Sequence, residues 1–137
     1  MARGLRNNNP LNIRHNKDVF QGEVTPSTDK SFKQFTSAAY GYRAAFVTLH
    51  TYLVKYKRDT IAKIIAAWAP PEDNNDTENY IKNVSERSKI DCDEVLTARD
   101  GDKYIRIVSA MCISENGKKA NQADVEAGFK LQNRITR

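Results

Sequence analysis

Two carboxyl groups in this 137-residue chain fall in segments that do not read as helix, yet flank segments that do. Glu72 follows Trp68 and the paired prolines Pro70-Pro71, and Asp73 comes directly after it. A rigid loop beside an aromatic ring can bury a carboxyl group and raise its pKa, keeping a proton available at neutral pH. Glu23 sits in the alternating stretch Asp18-Val19-Phe20-Gln21-Gly22-Glu23-Val24, which reads as part of a small hairpin. Glycoside cleavage needs a protonated carboxyl to donate to the leaving oxygen, and commonly a second carboxylate for water or the developing cation. Glu72 is therefore the candidate acid and Glu23 its candidate partner, with Asp73 as an alternative to Glu72. Plainer readings compete: Glu23 as a solvated strand residue, and residues 72–77 as a turn that caps the next helix.

Trp68 and Tyr80 are candidate sugar-stacking residues, because an aromatic face packs on the C–H side of a pyranose; at helical spacing the same residues also suit a core. Asn12 is a candidate substrate contact. Together with Asn8 and Asn9 it also suits a loop-locking role, since asparagine bonds local backbone and tolerates left-handed conformations. His50 in a helix and His15 in a loop have no Ser or Cys signature nearby, so no triad is assigned. Cys92 and Cys112 are too far apart for a CxxC motif and have no flanking His, so no metal or cofactor is expected.

The elements that must position these residues follow from the change in periodicity. Residues 1–35 are rich in Asn, Asp, Thr, Ser and Lys and read as loops with a small β element. Residues 36–137 read as helical. Thr36 or Ser37 caps a long amphipathic helix to about Lys55, with Ala39, Tyr42, Ala45, Phe46, Leu49 and Leu53 at three- and four-residue spacing. Asp59 or Thr60 caps a second helix, which must stop at Pro70-Pro71. Asn75, Asp76 or Thr77 caps a third, with Tyr80, Ile81 and Val84 on one face. Shorter helices are predicted over 91–99, 102–113 and 121–132. The expected core is Phe46, Leu49, Leu53, Ile61, Ile64, Ile65, Trp68, Tyr80, Ile81 and Val84.

Hydrophobic residues make up 39% of the chain and charged residues 28%, a globular balance, and the length fits a single domain over 1–137. No apolar run approaches the ~18 residues of a membrane span, and Met1-Ala2-Arg3-Gly4 lacks a signal-peptide apolar region. Synthesis in the bacterial cytoplasm is expected, with exit by lysis or in a virion. The net charge of +5 is scattered, and there is no recognition helix, aromatic RNA-binding string or glycine loop, so nucleic acid is not an expected partner.

The string Arg3-Gly4-Leu5-Arg6-Asn7-Asn8-Asn9-Pro10-Leu11-Asn12-Ile13-Arg14 resembles the RGxRNNNPxNIR opening of phage and prophage structural (virion) proteins. The likeness continues through Phe32-Lys33-Gln34-Phe35, Ala39-Tyr40-Gly41-Tyr42-Arg43-Ala44, Thr48-Leu49-His50-Thr51-Tyr52 and Ile65-Ala66-Ala67-Trp68-Ala69-Pro70-Pro71, and on through Asp76-Thr77-Glu78-Asn79-Tyr80-Ile81. Ala110-Met111 and Ser114-Glu115-Asn116-Gly117 look like the Bacteroides-type members. More distantly, Asn8-Asn9-Pro10-Leu11-Asn12-Ile13-Arg14 is similar to the Asn-Asn-x-Phe-Gly-Ile-Lys string of bacterial cell-wall glucosaminidases. Asn79-Tyr80-Ile81-Lys82-Asn83-Val84 is similar to a helix of lytic transglycosylases. These resemblances imply an α+β, mainly helical, lysozyme-like domain, with peptidoglycan or another cell-wall glycan as partner and Glu23 in the place of a hairpin glutamate. The chain departs from the glucosaminidases at one point: their catalytic glutamate ends a helix before the Asn-Asn string, whereas here only seven residues precede Asn8 and none is acidic.

Two functions are therefore expected to compete. One is a virion-associated protein that binds, and with a suitable acid cleaves, peptidoglycan. The other is a non-catalytic structural or interaction module on the same frame, in contact with virion proteins.

Overall fold

The computed structural model describes residues Met1–Arg137. It is mainly helical with one small sheet: α1 (Arg3–Arg6), β1 (Glu23–Val24), β2 (Gln34–Phe35), α2 (Ala38–Tyr56), α3 (Ile61–Trp68), a 3-10 turn (Pro71–Asp73), α4 (Thr77–Ser88), α5 (Gly101–Asn116) and α6 (Gln122–Lys130). The strands are antiparallel, with Glu23 opposite Phe35 and Val24 opposite Gln34, and an isolated bridge joins Arg14 to Phe32. No helix is long and apolar enough to cross a membrane.

Four of the six helices, α2, α3, α4 and α6, start where a side chain accepts from an otherwise unpaired amide. Ser37 accepts from Tyr40 N, Thr60 from Lys63 N, Asp76 from Asn79 N and Asn121 from Asp124 N. The helix expected over 91–99 does not form. Local side chains there offer the backbone other partners: Asp93 N donates to Asp91 Oδ1 and Thr97 N to Asp100 Oδ2, while Leu96 N is taken by the carbonyl of Asp59. The short helix α1 lies in the stretch read as loop; it packs against α5.

The core lies where α2 packs on α6, α4 on α5 and α3 on α4. Phe46, Leu49, Ile61, Ile64, Ile65 and Val84 are fully buried, and Phe46 meets Phe129 edge to face at 5.3 Å. Leu53, Trp68, Tyr80 and Ile81 are only partly buried. Trp68 packs against both the main core and a smaller cluster of Ile13, Phe35 and Ala44, so it ties the N-terminal loop region to the bundle.

Candidate functional site

The asparagine-rich string folds into a knot of side-chain to backbone bonds. Asn9 is fully buried; its Nδ2 donates to the carbonyls of Ile13 and Lys33 at 2.9 Å, and its Oδ1 accepts from Ile13 N at 2.9 Å. Asn8 Nδ2 donates to Phe35 O, and Asn7 bonds Asp29 and Gln34. Asn8 and Asn12 have φ of 54° and 55°, the left-handed region that asparagine tolerates better than most residues. Two glycines let neighbours approach this knot. A Cβ on Gly4 would lie 2.6 Å from Asn116 Oδ1 and 2.7 Å from Asn12 Oδ1, and one on Gly41 would collide with the carbonyl oxygen of Asn8.

The knot aims Asn12 at the C-terminal end of α5. Asn12 Nδ2 donates to Glu115 Oε1 at 2.8 Å, and Tyr80 Oη, from α4, donates to Glu115 Oε2 at 2.8 Å. Asn116 fixes the same corner by donating to the carbonyls of Pro10 and Cys112. Burial pushes the Glu115 carboxyl above its ordinary value, and the bonds from Asn12 and Tyr80 together with the charge of Arg14 hold that rise back. The negative end of α5 acts in the same sense as burial, since a carboxylate is disfavoured in the last turn of a helix. Burial likewise raises the Tyr80 phenol, with the Glu115 charge adding to it. Burial and the two hydrogen bonds thus act on this carboxyl in opposite senses, with burial the larger.

Glu115 opens into a small recess of about 70 Å³, lined also by Asn12, Arg14, Phe32, Trp68, Ala69, Asp73 and Asn75. Asn12, Arg14, Trp68 and Asp73 also line an adjoining cleft of about 340 Å³ that extends past His15, Asn16, Thr48 and Tyr52. The Trp68 indole is fixed by donating to Leu11 O at 3.2 Å and by an edge-to-face contact with Tyr52 at 6.0 Å.

The candidates read from the sequence are distributed unevenly around this cleft. Asn12 and Trp68 line it, and Tyr80, outside the lining, donates to Glu115. Asp73 lines it too, whereas Glu72 is exposed on the 3-10 turn and makes no side-chain hydrogen bond. Glu23 is sealed with Lys33: both carboxylate oxygens lie 3.1 Å from Lys33 Nζ, and the side chains are 5% and 1% exposed. No hydrogen bond links Glu72 with Glu23, and neither lines the cleft. Sequence reasoning passed over Glu115, which lies beyond the helix expected over 102–113; α5 runs on to Asn116 and sets this acid in its last turn, against a local preference. Asp91, Cys92 and Asp93 bring three ligand-type atoms within 4.8 Å of one another, but Asp91 is occupied in capping the turn through Asp93 N. The cysteines are free thiols, Cys112 being buried.

No protein-family model matches this chain. It is 41% identical over 133 residues to Protein P5 of Pseudoalteromonas phage PM2, an alignment that covers 94% of this chain and 81% of that protein. With that identity over nearly the whole chain, it belongs to the phage protein family that includes Protein P5 of phage PM2.

Proposed function

We propose that this phage protein is virion-associated, and that it binds peptidoglycan glycan strands in the cleft beside Trp68 and cleaves them with Glu115 as the general acid, on a lysozyme-like frame. The observation that carries the reading is the partly buried Glu115 carboxyl in the recess that adjoins the cleft, held by Asn12 and Tyr80. A pyranose stacked near Trp68 would bring its glycosidic oxygen toward Glu115. The carboxyl gives its proton to the leaving oxygen, and the Asn12 amide and Tyr80 hydroxyl donate into the carboxylate left behind. Asp73, which lines the same recess, is the candidate second carboxylate in place of Glu23, taking a proton from the water whose oxygen bonds the anomeric carbon as the glycosidic bond breaks, and Glu72 lies one residue outside the lining. The resemblance to cell-wall glucosaminidases also supports this reading. The glutamate they carry before the Asn-Asn string would here come from the other end of the chain, 103 residues beyond Asn12.

One observation favours the non-catalytic module: both Glu115 oxygens already accept hydrogen bonds, so the group also serves as a pin between the N-terminal loop, α4 and α5. Incubation of the purified chain with purified peptidoglycan, followed by mass spectrometry of the soluble products, separates the two. Released glycan fragments support the enzyme, and fragments lighter by one water would mark a transglycosylase outcome over hydrolysis. Sedimentation of the protein with the sacculus and no released fragment supports the binding module.

A further inference from the structure

The 340 Å³ cleft does not end at Tyr52. A larger cavity of about 570 Å³ adjoins it, sharing Asn16, Thr48 and Tyr52 as lining and extending to Arg43 and Arg134. Arg43 projects from α2 and is half-buried, with Nε directed at Leu131 O at 3.4 Å. Arg134 lies in the segment after α6, where Gln132 Oε1 accepts from Arg134 N and Ile135 N at 2.9 Å and holds the backbone in place. Neither guanidinium takes part in an ion pair; the chain's salt bridges use Arg3, Lys33, Lys63, Lys103 and Arg137. Asp18 is the one acid lining the cavity, and its carboxylate pairs with neither arginine.

We propose that Arg43 and Arg134 form an anion site that takes carboxylate groups carried on the side substituents of the glycan strand bound at Trp68. This rests on the glycan reading of the cleft and deepens it, because it names the substituent group recognised and the two residues that recognise it. Two like charges walling one cavity repel each other, and burial and Arg134 both lower the Arg43 pKa. An anion between them would relieve both effects. The planar guanidinium fork matches a carboxylate or a phosphate. The charge layout along the groove selects between these. A phosphate polymer lying along its whole length would meet Asp73 as well as Arg14 at the far end, whereas Arg43 and Arg134 line their cavity with Asp18 alone as acid. A neutral sugar backbone sets no charge of its own against Asp73, and carboxylates on its substituents can reach the two arginines. An unsubstituted neutral glycan gains nothing from the two arginines.

The test compares calorimetric binding of four probes to the wild-type chain and to Arg43→Gln/Arg134→Gln. The probes are an N-acetylglucosamine oligomer, a peptide-free glycan fragment with lactyl carboxylates, the same fragment with its peptide stems, and poly(glycerol phosphate). The wild type is expected to bind at least one carboxylated fragment about tenfold or more tightly than the neutral oligomer, in line with charge-assisted hydrogen bonds. The double variant should lose that preference and keep its affinity for the neutral oligomer. Arg134→Gln alone, at an exposed position, should narrow the gap, and it decides the matter if the double variant does not fold. Equal affinity of the wild type for neutral and carboxylated fragments, or a preference that survives Arg134→Gln unchanged, would overturn the anion site while leaving the cleft reading intact. Tighter binding of poly(glycerol phosphate) than of either carboxylated fragment would overturn it in favour of a phosphate polymer. Failure of every glycan to bind would overturn the cleft reading and the anion site together.

Discussion

Replacing Asn9 with alanine isolates the contribution of the asparagine knot to the fold. The Asn9 side chain is fully buried and makes three hydrogen bonds of 2.9 Å. The Ile13 carbonyl would keep a partner, because it also accepts from Lys33 N. Ile13 N and Lys33 O would lose theirs. Each buried orphan costs about 1–3 kcal/mol, so the expected loss is about 2–6 kcal/mol. For a domain of this size that is a melting-temperature drop of roughly 8–20 °C. Urea denaturation followed by circular dichroism measures it, and an unchanged m-value would show that the loss is in stability alone. Asn9→Asp should do no better, because it keeps the acceptor for Ile13 N but loses both donors and sets a buried carboxylate against two carbonyls. A loss below about 0.5 kcal/mol for Asn9→Ala would refute the reasoning, since only a relaxed or hydrated loop could absorb two orphaned groups so cheaply.

Three further outcomes are expected. Gly41→Ala should destabilise by about 1–3 kcal/mol or more, because its Cβ would meet the rigid carbonyl of Asn8, and thermal melting would record it. Glu23→Gln should cost about 3–5 kcal/mol by leaving Lys33 buried without its counter-charge, yet leave cell-wall cleavage per folded molecule unchanged; a selective loss of cleavage would return Glu23 to the catalytic machinery. The folded-state pKa of Glu115 lies above the unfolded value, so its contribution to stability is fully present below the unfolded carboxyl range and is lost as pH rises through the folded value. Glu115→Gln should therefore gain stability relative to wild type as pH rises from about 4 toward neutrality, and a difference that does not vary with pH in denaturant titrations would contradict the shift.

The helical half of the fold was legible in the sequence because its signals are local. Ser37, Thr60 and Asp76 cap helices at positions expected from side-chain chemistry alone, and Pro70-Pro71 ends α3 as proline must. The segment 91–99 reads as helix but forms none, because Asp59, Asp91 and Asp100 compete for its amides, and one of these partners is distant in sequence. The candidate site was legible in part. Asn12, Trp68 and Tyr80 stood out by residue type and position, but the group they surround did not. Glu115 falls two residues beyond the helix expected over 102–113, and its partners lie 35 and 103 residues away. Glu23 and Glu72 drew attention by lying outside helices. That criterion cannot tell a carboxylate sealed by a lysine, or one standing in solvent, from one that lines a recess.

The most direct test of the proposed chemistry is digestion of purified peptidoglycan by the wild type, Glu115→Gln and Glu72→Gln in parallel, with products identified by mass spectrometry. Glutamine keeps the shape of the side chain and its place between Asn12 and Tyr80 but has no transferable proton. The wild type and Glu72→Gln are expected to release the same glycan fragments, and folded Glu115→Gln none while still binding the sacculus. Undiminished release by Glu115→Gln, or loss of release by Glu72→Gln alone, would contradict the assignment, and absence of release by the wild type would leave the binding module in its place.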